Sequence, residues 1–350
     1  MKYTDVQLVD MLYRKNHRLI ELIDNNAYFG IFGTGKLAKD TFTKLCNFKC
    51  NNFFFVDRNE GSNIFLDHPL VNISNLADQS TPLLIASTWA KNIIQDLRAI
   101  NYTGEVFIVD PFITVFERMD TTDKKQLLDV YNALNDESKN TLSSLILFRC
   151  GEVDALQVST YPQYMCPHMD ITESEVMIDG GAYIGDTIQH MHEQGIKVRE
   201  IHAFEPDDEN FQALENYVST SSQLIYPQQK GLWSSNDSLS FSSDATASYG
   251  RKIESLGEKT IETVSIDEYS KSELIIPTLI KLDVEGAELQ ALLGAKNTIN
   301  STKPKLLISI YHIHSDLWKI PTYIKQLNPK YKFHIGHHRN SWMETVLYCH

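Results

Sequence analysis

Short apolar runs alternate with amphipathic stretches along this chain, and the alternation occurs twice. Val6 to Ile23 places Val6, Leu8, Val9, Leu12, Leu19, Ile20 and Ile23 at mostly helical spacing among Lys and Arg, which predicts one or two amphipathic helices. Ala27–Phe32, Phe53–Val56, Leu83–Ala86 and Val106–Val109 read as buried strands, with helical patterns running through Leu45 and from Lys91 to Ile100. Strands separated by helices of this length predict a parallel sheet with helical crossovers. The next sixty residues lack that rhythm: Thr122–Leu147 reads as helical, and Pro162 and Pro167 interrupt a segment whose Tyr161 and Tyr164 read as packing residues.

From Val176 the rhythm resumes. Strands are predicted at Val176–Ile178, Val198–Phe204, Gln223–Tyr226, Thr260–Ile266, Leu279–Leu282 and Leu306–Ile310, with helices at Thr187–Glu193, Phe211–Val218, Leu289–Thr298 and Leu317–Leu327. Tyr331–Ile335 and Thr345–Tyr348 close the chain as a pair of strands, and Ser234–Ser255, rich in Ser and Asp, is expected to be a surface hairpin or mobile loop. The expected class is α/β with two Rossmann-like units: residues 1–112 with leading helices, a helical connector over 113–172 that covers part of a site, and a second unit over 173–350.

The densest local signal is Asp179-Gly180-Gly181-Ala182-Tyr183-Ile184-Gly185-Asp186, where a strand runs into a glycine-rich turn and then a helix. Glycines allow a ligand to approach the backbone, and a helix start offers unpaired N–H groups. Twenty positions after Gly185 the next strand ends in Glu205-Pro206, where a carboxylate can bind both hydroxyls of a ribose. Asp179 and Asp186 flank the turn and would repel a pyrophosphate, so a sulfonium cofactor, S-adenosylmethionine, fits better than NAD. The plainer alternative is a tight turn with Asp179 as a cap. Farther on, Leu279–Leu282 delivers Asp283 to a strand end, followed by Glu285 and Glu288 at a helix start.

These stretches resemble the FkbM family of methyltransferases over about residues 160–350. The resemblance is carried by Asp179–Gly185, Phe204-Glu205-Pro206, Thr263–Tyr269, Lys281-Leu282-Asp283-Val284-Glu285-Gly286-Ala287-Glu288 and Ile310-Tyr311-His312. It implies a class I methyltransferase sheet ending in an antiparallel pair, S-adenosylmethionine as donor, and O-methylation of a hydroxyl on a sugar, glycan or related metabolite. It also implies a cofactor lined by Asp179, Gly180, Gly181, Ala182, Tyr183, Gly185 and Asp186, with Glu205 and Pro206 at the ribose, Gly231 and Leu232 near the adenine, and Asp283 alongside. For the proton of the acceptor hydroxyl, His312 is the expected base, neutral at cytoplasmic pH, with Asp283 positioning the hydroxyl.

Gly33-Thr34-Gly35-Lys36-Leu37-Ala38, followed by Asp57 at the next strand end, matches a dinucleotide fingerprint in its proper context. Gly33, Gly35 and Asp57 are therefore a possible second nucleotide site. The rival functions are an NAD- or nucleotide-sugar enzyme centred there, or a non-catalytic scaffold. His312-x-His314 and His337-His338 have no flanking ligand set of familiar spacing, so no metal is expected.

Charge narrows the partners. The 350 residues carry a formal charge of −13, which argues against binding nucleic acid through bulk electrostatics. No apolar run reaches the length of a membrane span, and the first residues lack a signal pattern. The five cysteines contain no CxxC pair, so a reducing cytoplasm is the expected compartment. Oligomeric state is not legible.

Overall fold

The computed structural model describes residues 3–58, 63–76, 78–241 and 259–350. The chain divides into two compact units: Met1–Asn132 with Lys139–Val158 and Arg339–Met343, and Ala133–Ser138 with Ser159–His338 and Glu344–His350. Among the described residues, no helix is long and apolar enough to cross a membrane.

In the first unit, β1 (Phe29–Phe32), β2 (Phe53–Asp57), β3 (Ile64–Phe65), β4 (His68–Asn72), β5 (Leu83–Ile85) and β6 (Val106–Ile108) form a sheet in the order β3-β4-β2-β1-β5-β6. All pairings are parallel except β3 with β4. The central strands β1 and β5 are buried at every position, as a parallel sheet covered on both faces requires. The opening amphipathic stretch is a single helix, Asp5–Asp24, started by a reciprocal cap between Thr4 and Gln7. Strands β3 and β4 escape the sequence reading because they lie at the sheet edge and are only partly buried, so they need no apolar run.

The helical stretch 122–147 is two helices, Thr121–Ala133 and Asp136–Arg149. Asn135 breaks it by accepting the Ser138 N–H at 2.9 Å, which starts the second helix.

The second unit holds β7 (Val176–Gly180), β8 (Glu200–Phe204), β9 (Ile225–Gln228), β10 (Gly231–Leu232), β11 (Asp237–Phe241), β12 (Lys259–Val264), β13 (Leu279–Leu282), β14 (Lys305–Ser309), β15 (Phe333–His337) and β16 (Thr345–Cys349). Its seven-stranded sheet runs β15-β16-β14-β13-β7-β8-β9, parallel except that β16 opposes both β14 and β15. This is the class I methyltransferase arrangement with its closing antiparallel pair. β10, β12 and β11 make a separate small sheet, so the start of the Ser-rich stretch is a strand paired with β12. The rest of that stretch, from residue 242 on, lies outside the described residues.

The expected helix 289–298 is interrupted at Gly294, where a Cβ would overlap the Trp233 carbonyl oxygen. Asp267 then accepts the N–H groups of Asn297 and Thr298 and starts a new helix, Lys296–Thr302.

Chain order departs in opposite directions from β7, toward β8 on one side and β13 on the other. The crevice at their carboxyl ends is where open α/β sheets hold ligands.

Candidate active site

The turn after β7 sits against the end of β13. Gly181 has φ +70°, and a Cβ there would overlap the carbonyl oxygen of Asp283, so the close approach requires glycine. Its N–H and that of Ala182 both reach the Phe204 carbonyl at 3.0 Å, which ties the turn to β8. Gly185, also left-handed at φ +86°, opens the helix Asp186–Glu193 with Asp186 exposed on its first turn. Gly180 lies under Leu232 of β10.

Glu205 follows β8 and is buried. Oε2 accepts the Tyr183 N–H at 3.0 Å and Oε1 the Asp207 N–H at 2.9 Å, the latter just past Pro206. Burial raises its pKa against the pull of those N–H groups. Two main-chain donors thus fix the carboxylate beside the glycine turn, with lone pairs left on both oxygens.

Asp179, expected to line the cofactor, faces Lys281. It is fully buried, with Oδ1 2.9 Å from Lys281 Nζ, and Nζ also donates to the Gly181 carbonyl at 2.7 Å. Burial disfavours the Lys281 ammonium, but Asp179 and Asp283 outweigh it and raise its pKa. Asp179 is thereby linked to the turn through Lys281.

Asp283 stands at the end of β13 with its side chain 23 % exposed. Tyr164 donates to Oδ2 at 2.7 Å and Tyr311 to Oδ1 at 3.2 Å. Burial alone would raise its pKa, yet His312 and Lys281 outweigh it and hold it below the usual value. His312, fully buried after β14, has Nδ1 2.9 Å from Glu288 Oε1, and Nε2 3.5 Å from both Asp283 Oδ1 and Glu285 Oε2. Burial opposes its charge, but Glu288, then Asp283 and Glu285, push its pKa up to about 10. That direction is opposite to the one the sequence reading expects for a neutral imidazole, and its cause is the surround of carboxylates.

The Methyltransferase FkbM domain family matches residues 179–343, the span that holds all of these groups except Tyr164. The hexuronic acid methyltransferase AglP of Haloferax volcanii is 32% identical over 181 residues, which cover 48% of this chain and 72% of that protein. The chain belongs to the FkbM methyltransferase family. The crystal structure of methyltransferase FkbM from Methylobacillus flagellatus KT superposes with a TM-score of 0.67 at 20% identity, covering 99% of this chain and 100% of that one. The two share a fold along their whole length.

Within this FkbM-family unit, sequence reasoning missed Tyr164, Lys281 and Tyr311 as partners of the carboxylates. It also read Glu288 as no more than a helix-start residue. Tyr164 lies over a hundred positions from Asp283; Lys281, by contrast, stood inside the most specific motif and could have been found as a cation among three acids.

The remaining histidines of the two sequence pairs have structural partners. His314 packs edge-on against Trp318, His337 meets Thr345 Oγ1 at 2.9 Å, and His338 meets the Tyr348 hydroxyl at 2.9 Å. In the first unit, Gly33 has φ +123°, Gly35 opens the helix Lys36–Asn47, and Thr34 between them donates to Asp57 Oδ2 at 2.7 Å. The fingerprint residues do gather at the carboxyl ends of β1 and β2.

Proposed function

We propose that this methyltransferase uses S-adenosylmethionine to methylate a hydroxyl group of a sugar or glycan, a hexuronic acid being the first acceptor to test. The cofactor, when bound, supplies a methyl group on a positively charged sulfur. The observation that carries the reading is Glu205, held by the N–H groups of Tyr183 and Asp207 beside a turn whose Gly181 has no room for a side chain. A carboxylate so placed suits the two hydroxyls of a ribose. The space kept at Gly181 suits close approach of the cofactor to the backbone.

At the other end of the crevice, Asp283 is the ionised group best placed to receive the hydrogen of an acceptor hydroxyl. Tyr164 and Tyr311 fix its two oxygens, and His312 holds its charge. In this reading Glu205 and the turn at Gly181 would hold the cofactor, which would supply the methyl group, and Asp283 would take the acceptor hydroxyl's proton and pass it on to water. Alignment of the hydroxyl is the larger part of the work. The relative's name favours a sugar acid as acceptor.

The test is incubation with S-adenosylmethionine and glucuronic- or galacturonic-acid oligosaccharides, followed by mass spectrometry and alkaline treatment. A methyl group stable to alkali supports an ether on a hydroxyl. A base-labile ester, or no methyl gained on any sugar while S-adenosylhomocysteine still binds, overturns the acceptor assignment.

A further inference from the structure

The loop that leads from the helix Ile266–Ser272 into β13 holds aliphatic side chains out in water. The Ile275 N–H reaches back to the Ser270 carbonyl at 3.0 Å, the closing bond of a Schellman turn, and Leu274 takes the left-handed position of that turn with φ +55°. Glycine fits this position without cost, whereas a leucine is strained there. Leu274 is also 90% exposed, and Ile276, two residues on, is 63% exposed. Neither backbone preference nor packing accounts for a leucine at this tip.

The charge beside the tip is positive. The tip precedes β13, and the pairing register sets the starts of β14 and β15 and the end of β16 at that same end of the sheet. Lys303, Lys330 and Lys332 are exposed there, with His350 partly buried. Lys305 is at this end too, but it pairs with Glu175 at 2.7 Å. Next to the tip, the exposed acid Glu273 is offset by the exposed Lys271. The histidines register the positive field. Burial, then His168, His350 and Lys332, pushes the pKa of His334 down to about 4. Burial, then Lys332, Lys303, His168 and Lys305, lowers that of His350. In a chain of net charge −13 this end is a local exception.

We propose that this end of the second unit docks on an anionic phospholipid surface, with Leu274 and Ile276 entering the headgroup layer and Lys303, Lys330 and Lys332 meeting the lipid phosphates. An aliphatic tip flanked by lysines suits that interface, because the apolar groups leave water while the ammonium groups stay among the headgroups. A protein partner fits less well. Protein interfaces are enriched in aromatic residues and Arg and depleted of Lys, and the exposed cations beside this tip are lysines. The crevice lies at the opposite, carboxyl end of the same parallel strands, so a docked molecule keeps it turned away from the lipid.

The experiment is flotation of the full-length protein with vesicles of phosphatidylcholine alone and of phosphatidylcholine mixed with phosphatidylserine, at low and high salt. The expected result is saturable binding to the anionic vesicles that weakens with salt, and little binding to the neutral ones. Leu274→Gly relieves the left-handed strain, so this variant should melt no lower than wild type. Combined with Ile276→Ser, it should lower vesicle affinity roughly tenfold or more. The triple change Lys303→Gln, Lys330→Gln and Lys332→Gln should remove the preference for phosphatidylserine, with melting curves showing that the protein is folded. No flotation with anionic vesicles overturns the proposal, as does equal flotation of wild type and the Leu274→Gly, Ile276→Ser variant. Binding to polyglutamate without flotation assigns the lysines to an acidic polypeptide and overturns it. A wild-type dimer that the double variant dissociates, again without flotation, assigns the tip to a second copy of the chain and overturns it as well.

Discussion

The ammonium of Lys281 lies 2.9 Å from Asp179 Oδ1, with both residues buried and directly opposite each other in the β13–β7 register. The pair fastens the glycine turn, because the same ammonium donates to the Gly181 carbonyl. Removing one partner strands a buried charge, whereas removing both does not. Lys281→Met should therefore destabilise the protein by about 3–5 kcal/mol, and the double change Asp179→Asn with Lys281→Met by clearly less. Urea denaturation of both variants checks this, and a cost below about 1 kcal/mol for Lys281→Met would show that the pair is not coupled.

Glu205→Ala removes a charge-assisted partner of the proposed ribose. It should weaken S-adenosylhomocysteine binding by about 1.5–3 kcal/mol in calorimetry. Asp57→Ala, in the first unit, should leave that affinity unchanged. If Asp57→Ala instead abolished binding in a folded protein, the cofactor would belong to the first unit.

Two glycines with similar backbone angles separate strain from crowding. Gly181 has φ +70° and no room for a Cβ, while Gly195 has φ +81° and nothing within 4 Å of that position. Gly195→Ala should cost only the left-handed penalty, about 1–2 kcal/mol. Gly181→Ala should cost more and reduce S-adenosylhomocysteine affinity at least tenfold. Equal melting temperatures for the two variants would refute the steric account of the turn.

Acid should loosen the second unit partly through Glu175. Its carboxylate accepts from Lys305 at 2.7 Å. Burial would raise the Glu175 pKa, but Lys305 and neighbouring donors outweigh it, so the folded value is depressed. A depressed carboxylate stabilises fully above its unfolded pKa, about 4.3, and that contribution is lost as pH falls through the folded value. Glu175→Gln should therefore be less stable near neutrality and lose less stability on acidification. Urea midpoints between about pH 6 and pH 3 measure it, and parallel curves for wild type and variant would refute the linkage.

The candidate site was legible where its chemistry is local. Gly181 and Gly185 announce a turn by the absence of side chains, and Glu205 and Asp283 follow apolar runs that end at the crevice. His312 was legible as a position but not as a charge state. Glu288 and Asp283 raise its pKa, and no spacing along the chain reveals which carboxylates will face an imidazole.

The sequence by itself determined the α/β class, both glycine turns, the strand ends that carry acids, and the closing pair β15 and β16. Burial of parallel strands demands continuous apolar runs, and turns demand particular residues, so these features are written in neighbouring positions. Only the tertiary structure decided that Asp179 meets Lys281, that Tyr164 reaches Asp283, and that one expected helix stops at Gly294. Those outcomes depend on strand register and on close packing between segments about a hundred residues apart or nearer. Such contacts form only after the chain has folded back on itself, and no periodicity records them.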